Sequence, residues 1–199
     1  MNLKGISFYL GLICFPISIL AFINILYASY FDYFLSIDTY FSTLIISLII
    51  SVGFFYYGKN SKKDIDFIEQ LILVIISYFL TSLLIAIPFY LSNYQVTFIN
   101  SIFESVSGLT GTGFSIFKDI KYLDPTLILW RSSSQWFGGL FFLFFLIIIF
   151  SNKSFNYKMT NLSYSADYNF KSTDNIKDNL LRIFIIYSTL SIIILSLLN

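Results

Sequence analysis

Five stretches of this chain run for 19 to 26 residues with no more than one charged side chain each: Ile6–Tyr30, Thr39–Tyr57, Phe67–Leu91, Pro125–Phe150 and Leu180–Leu198. An α-helix rises about 1.5 Å per residue, so about 20 residues cross the roughly 30 Å hydrocarbon core of a bilayer. No water reaches backbone N–H and C=O groups inside that core, and a helix is the way a single segment satisfies its own. An all-α membrane protein with five transmembrane helices is therefore expected. Only 12% of the 199 residues are charged, against about 25% for a soluble domain, which leaves too little polar surface to face water. The first run follows Lys4, but its 25 residues exceed a signal-peptide core and no small-x-small cleavage site follows it, so it reads as a retained helix.

Orientation follows from the cations, because short cytoplasmic loops carry the excess of Lys and Arg. If the helices alternate, Lys4, Lys59, Lys62, Lys63, Lys153, Lys158, Lys171, Lys177 and Arg182 share one side, nine of the twelve cations. The Tyr30–Thr39 turn holds only Asp32 and Asp38, while Lys118, Lys121 and Arg131 belong to the opposite half. The N-terminus is thus expected in the cytoplasm. Residues Ser151–Asn179, rich in Ser, Asn, Lys, Asp and Tyr, read as a long cytoplasmic connection, and the glycosylation-like triplets at Asn152 and Asn161 are taken as chance on that side.

Several chemistries are unsupported. Twelve Lys and Arg against eleven Asp and Glu leave a net charge of +1, no basic field for nucleic acid. With no His and a single Cys, Cys14 inside an apolar run, the chain lacks the usual ligands of zinc or haem, the Ser/His and Cys/His catalytic pairs, and an intrachain disulfide. Glu69, Glu104 and Arg131 form no acid–base pair by spacing. An enzyme is not expected, and no cofactor is implied.

Between the third and fourth runs lies Thr97-Phe-Ile-Asn-Ser-Ile-Phe-Glu-Ser-Val-Ser-Gly-Leu109. Thirteen helical residues reach only about 20 Å, too little to cross and too apolar for a solvated loop. A re-entrant helix that dips in and returns is expected. Next comes Thr110-Gly-Thr-Gly-Phe-Ser115, whose glycines free the backbone to extend and aim its carbonyls at one axis. Backbone carbonyls and a Thr hydroxyl suit a dehydrating cation, and the helix C-terminus adds negative partial charge. An ordinary flexible outer loop is the competing reading. A dinucleotide fingerprint fails, because no strand precedes these glycines and no helix opens directly after them. Glu104, one turn before the loop, is either an ion site or a brace for the loop backbone. Arg131 and Gln135 share a helix face four residues apart and either tie that helix to the loop or, for Arg131, reach outward to the interface. Gly138 and Gly139 read as close-packing positions, and Asp124-Pro125 as a helix start.

Phe103-Glu-Ser-Val-Ser-Gly-Leu-Thr-Gly-Thr-Gly-Phe-Ser115, followed by Leu129-Trp-Arg-Ser-Ser-Ser-Gln-Trp-Phe-Gly-Gly-Leu140, resembles the first pore segment and following helix of the Trk/Ktr/HKT potassium transporters, the TrkH-type membrane subunit in particular. Ala86-Ile-Pro-Phe89 is similar to the end of the helix before that pore. The resemblance implies that Thr110, Gly111, Thr112, Gly113 and Phe114 line one quarter of a potassium filter, with potassium held by the carbonyls of Thr110, Gly111, Thr112 and Gly113, and that Glu104, Arg131 and Gln135 support it. The chain departs at Gly111, where the family more often carries a side chain; the extra backbone freedom is expected to blur discrimination between potassium and sodium.

The same resemblance divides the chain into two N-terminal helices (1–60), a helix–pore–helix repeat (61–150), a cytoplasmic connection (151–179) and the opening of a second repeat (180–199). Four such repeats build one pore in the family, and a single quarter offers too few oxygens to replace an ion's water. The implied function is uptake of potassium or another monovalent cation as the N-terminal part of a Trk-type subunit. The implied setting is a bacterial inner membrane, with partners in the lipid, the remaining three repeats or a second chain, a homodimer mate, and a cytoplasmic nucleotide-binding regulatory subunit. The alternatives are a one-repeat subunit of a tetrameric channel and a non-transporting remnant or modulatory partner.

Overall fold

The computed structural model describes residues 2–33, 37–60, 65–150 and 176–198. Among the described residues six helices follow in chain order: α1 (Leu3–Tyr30), α2 (Ile37–Gly58), α3 (Phe67–Leu91), α4 (Phe98–Thr110), α5 (Pro125–Phe150) and α6 (Ile176–Leu198), with a 3-10 turn at Ile120–Tyr122 ahead of α5. No strand occurs among the described residues. α1, α2 and α3 are each long and apolar enough to cross a membrane. Lys62, Lys63, Lys153, Lys158 and Lys171, and residues 151–175 of the expected connection, lie outside the described residues.

The chain forms two compact units, Met1–Gly139 and Leu140–Asn199. The second contains α6 and the C-terminal part of α5.

α1 and α2 form a close antiparallel hairpin. Lipid is as apolar as a leucine side chain, so two membrane helices gain little from hiding apolar surface from each other and associate through close packing and hydrogen bonds. The buried face of α1 is accordingly built from small residues at spacings of three and four, Ser7, Gly11, Cys14, Ser18 and Ala21, and that of α2 from Thr43, Ser47, Ser51 and Gly58. A Cβ on Gly11 would stand 2.7 Å from the backbone nitrogen of Phe55 and 2.8 Å from the Ser51 carbonyl oxygen. A Cβ on Gly58 would collide with the backbone of Lys4 and Phe8. Ser51 Oγ donates to the Gly11 carbonyl at 2.7 Å and Ser7 Oγ to the Phe54 carbonyl at 3.2 Å.

α3 closes against this hairpin. Leu73 packs on Ile6 and Leu10, with Phe54 and Ile72 around them. Glu69, in the first turn of α3, accepts the backbone N–H groups of Asn2 and Asp66, the latter at 3.1 Å. Its buried carboxylate therefore caps the starts of two helices, α1 and α3, a structural duty that accounts for an acidic residue inside an apolar run.

The contact at Gly11 yields a paired test. Gly11→Ala should destabilise the protein by about 1–3 kcal/mol, because the added methyl meets backbone that cannot step aside. Gly53→Ala, on the same hairpin with nothing within 4 Å of the new methyl, should instead be neutral or stabilising by up to about 1 kcal/mol. Thermal melts of the two variants in detergent, followed by circular dichroism, separate them.

Candidate functional site

α3 ends at Leu91 and the chain reverses into α4 through Thr97, whose Oγ1 accepts the Asn100 N–H at 3.4 Å. α4 is thirteen residues long and stops for a specific reason. Gly111 adopts a left-handed conformation, φ +70°, its N–H donating to the Gly108 carbonyl at 3.0 Å while the Thr112 N–H reaches back to the Ser107 carbonyl at 3.1 Å. This pair of bonds is a Schellman cap, which wants glycine at the left-handed position. Thr110, expected in the extended stretch, instead closes the helix, its hydroxyl donating to the Val106 carbonyl at 2.7 Å. The non-helical segment begins at Thr112, and Gly113 takes a second positive φ of +78°.

The helix end lies against α5. A Cβ on Gly138 would overlap the Leu109 carbonyl, and one on Gly108 would overlap Ser134 Oγ. Gly138 lies thirteen residues past Pro125, so the C-terminus of α4 sits about 20 Å along α5 from its start. Both ends of the intervening segment nevertheless meet at that start: the Asp124 N–H donates to Tyr94 Oη at 2.7 Å, and Tyr94 stacks edge-on against Phe117. α5 is held there by a chain of contacts. Asp124 Oδ1 accepts the N–H and hydroxyl of Thr126, Tyr40 Oη donates to Thr126 Oγ1 at 3.2 Å, and Trp130 Nε1 donates to the Ile85 carbonyl at 3.0 Å.

Glu104 and Arg131 meet at the centre. Glu104 is wholly buried and Arg131 is 5% exposed. Arg131 Nη1 donates to Glu104 Oε2, while Nη2 donates to the carbonyls of Gly113 at 3.0 Å and Phe114 at 3.1 Å. Glu104 Oε1 accepts from Ser115 Oγ and from the Ile116 N–H, both at 2.6 Å. One buried ion pair thus grips four consecutive loop residues, 113 to 116, and Arg131 turns inward to the loop instead of outward. Among the described residues Gln135 is not drawn into this network.

The loop itself is uncovered by the rest of the chain: Thr110, Gly111, Thr112, Gly113 and Phe114 are all exposed, Phe114 by 70%. The carbonyls of Thr110, Gly111 and Thr112 accept no hydrogen bond among the described residues. Gly113 offers one remaining lone pair beside Arg131, and Phe114 none, because Ser107 Oγ also donates to it at 2.6 Å. Motif reading overlooked Ser107 and Ser115; the sequence signal for Ser107 is a serine four residues ahead of the glycine that ends its helix. Among the described residues no cluster of His, Cys, Asp and Glu is arranged to hold a metal ion.

Removing one partner of a buried pair leaves a bare charge. Glu104→Gln should cost about 3–5 kcal/mol of stability, and Glu104→Gln combined with Arg131→Gln should cost clearly less than the sum of the two single changes. Thermal or denaturant unfolding of the four proteins in detergent measures the coupling; additive losses would deny it.

The family model described as TrkH, a cation transport protein, matches residues 36–198. The uncharacterized cation transporter MJ1485 of Methanocaldococcus jannaschii is 27% identical over 139 residues, 69% of this chain and 28% of that protein. The Trk system potassium uptake protein TrkG of Escherichia coli K12 is 31% identical over 106 residues, 53% of this chain and 22% of its own. TrkI of Halomonas elongata is 36% identical over 72 residues, covering 36% and 15%. The chain spans less than a third of the length of these relatives. With the matched region running from the start of α2 to the end of α6, this chain belongs to the TrkH family of cation transport proteins.

Proposed function

We propose that the chain contributes one quarter of a potassium-selective pore, with α4 as a re-entrant helix, the end of α4 at Thr110 and the segment 111–114 as the ion-facing stretch, and α5 and α6 as spans in addition to α1, α2 and α3. The observation that carries this reading is the depth of α4: its C-terminus rests on Gly138, about 20 Å along α5, while the segment's two ends come together at Tyr94 and Asp124. Backbone that leaves a helix at such depth survives where protein or a watery cavity solvates it. Here protein serves residues 113–116, and water or an ion serves the free carbonyls of Thr110, Gly111 and Thr112, together with the remaining lone pair of Gly113.

The electrostatics favour a cation. The α4 C-terminus carries negative partial charge, and the carbonyl dipoles add to it without a formal charge that would hold the ion too long. Arg131 faces the back of the loop, where Glu104 neutralises it. Glu104 and Arg131 are the brace of the strand, with Gln135 on the same helix face. Four quarters complete the ring, and the relatives' greater length leaves room for the other three. Orientation follows the cation distribution, with the N-terminus in the cytoplasm of a bacterial cell.

Gly113 supplies the test. An added Cβ there meets nothing within 4 Å, and the positive φ of +78° costs an L residue about 1–2 kcal/mol, with Asp among the residues that bear it best; Gly113→Asp thus places a carboxylate among the ion-facing carbonyls at a modest backbone strain. The full coding frame containing these residues should restore growth of an uptake-deficient bacterium at low potassium, and Gly113→Asp should abolish that rescue with the protein still in the membrane. Rescue that survives the substitution undiminished would sink the assignment.

A further inference from the structure

We propose that Ser107, behind the strand and never facing the ion, is the positioning residue that sets discrimination between potassium and sodium; this rests on the pore reading above. Ser107 lies on the last full turn of α4, 4% exposed, and holds the strand at two points. Its carbonyl accepts the Thr112 N–H at 3.1 Å, and the Thr112 hydroxyl points back to it, 3.2 Å from Oγ and 3.3 Å from O. Its own hydroxyl donates to the Phe114 carbonyl at 2.6 Å.

Two consequences follow. The Thr112 hydroxyl aims its proton at Ser107, which fixes the orientation of that side chain and leaves its lone pairs free. The peptide of Gly113, free to rotate for want of a side chain, is pinned on both flanks by one residue of a rigid helix. A carbonyl cage distinguishes a larger from a smaller bare cation only if it resists closing on the smaller one. Arg131 holds residues 113 and 114 from α5, whereas residue 112 is tied to α4, through Ser107 and through a 3.4 Å contact between the Thr112 and Thr110 hydroxyls. The looseness expected of Gly111 is also removed from this side, since the Schellman bond to Ser107 fixes the residue after it.

The experiment uses the full coding frame in the uptake-deficient cell, comparing initial rates of potassium and sodium uptake for Ser107→Ala, Thr112→Val, Thr112→Ser and the Ser107→Ala/Thr112→Val double variant. Ser107→Ala and Thr112→Val should each lower the potassium-to-sodium ratio about fivefold, the factor that one neutral hydrogen bond commands. Thr112→Ser, which retains the hydroxyl, should keep the ratio, and the double variant should be no worse than the poorer single one. Thr112 is exposed, so its variants carry the test if Ser107→Ala fails to reach the membrane. An unchanged ratio in Thr112→Val, or additive losses in the double variant, overturns the role of Ser107 and leaves the pore standing. Absence of cation uptake by the unsubstituted protein overturns the pore, and this inference with it.

Discussion

The ion pair of Glu104 and Arg131 decides where the loop after α4 lies. A carboxylate and a guanidinium buried in apolar surroundings are stable only when each also satisfies its remaining hydrogen-bonding capacity. Both find that capacity in the same place: Ser115 and Ile116 for Glu104, Gly113 and Phe114 for Arg131. The loop backbone needs donors and acceptors, the pair needs them as well, and α4 and α5 cannot separate without stranding both. Four consecutive residues of a non-helical segment are thereby hydrogen-bonded to the two helices that flank it.

Glycine serves two distinct ends in this region. At Gly111 and Gly113 the backbone takes positive φ with open space around it, so the constraint is conformational. At Gly108 and Gly138 the helical backbone is ordinary, and the constraint is the neighbour: Ser134 on one, the Leu109 carbonyl on the other. The same close-approach logic builds the α1–α2 hairpin through Gly11 and Gly58, where the lack of hydrophobic drive within lipid makes contact distance the source of stability.

Much of this was legible in the sequence. The runs Phe67–Leu91 and Pro125–Phe150 coincide with α3 and α5 to the residue, because length and apolarity alone specify a helix that must satisfy its own backbone. α4 was legible as a short helix, and Asp124 as its successor's cap. Three things were not. Thr110 belongs to the helix, because its hydroxyl back-bonds one turn earlier. Gly111 serves as a cap, where composition suggested only freedom. Glu69, an isolated acid in an apolar run, caps the starts of two helices far apart in sequence. Each depends on a partner that no local pattern names.

By itself the sequence determined which segments become helices, where they break, and that a short apolar helix followed by a Thr/Gly strand stands between two long ones, since these follow from periodicity, length and the φ preferences of glycine. Only tertiary structure decided that Arg131 turns inward, that Glu104 is consumed as a brace, and that Ser107 takes the Thr112 hydroxyl and the Phe114 carbonyl. Those choices are made between groups brought together by helix packing, and the energy that selects them, the cost of leaving a buried polar group unpaired, exists only once the helices have met.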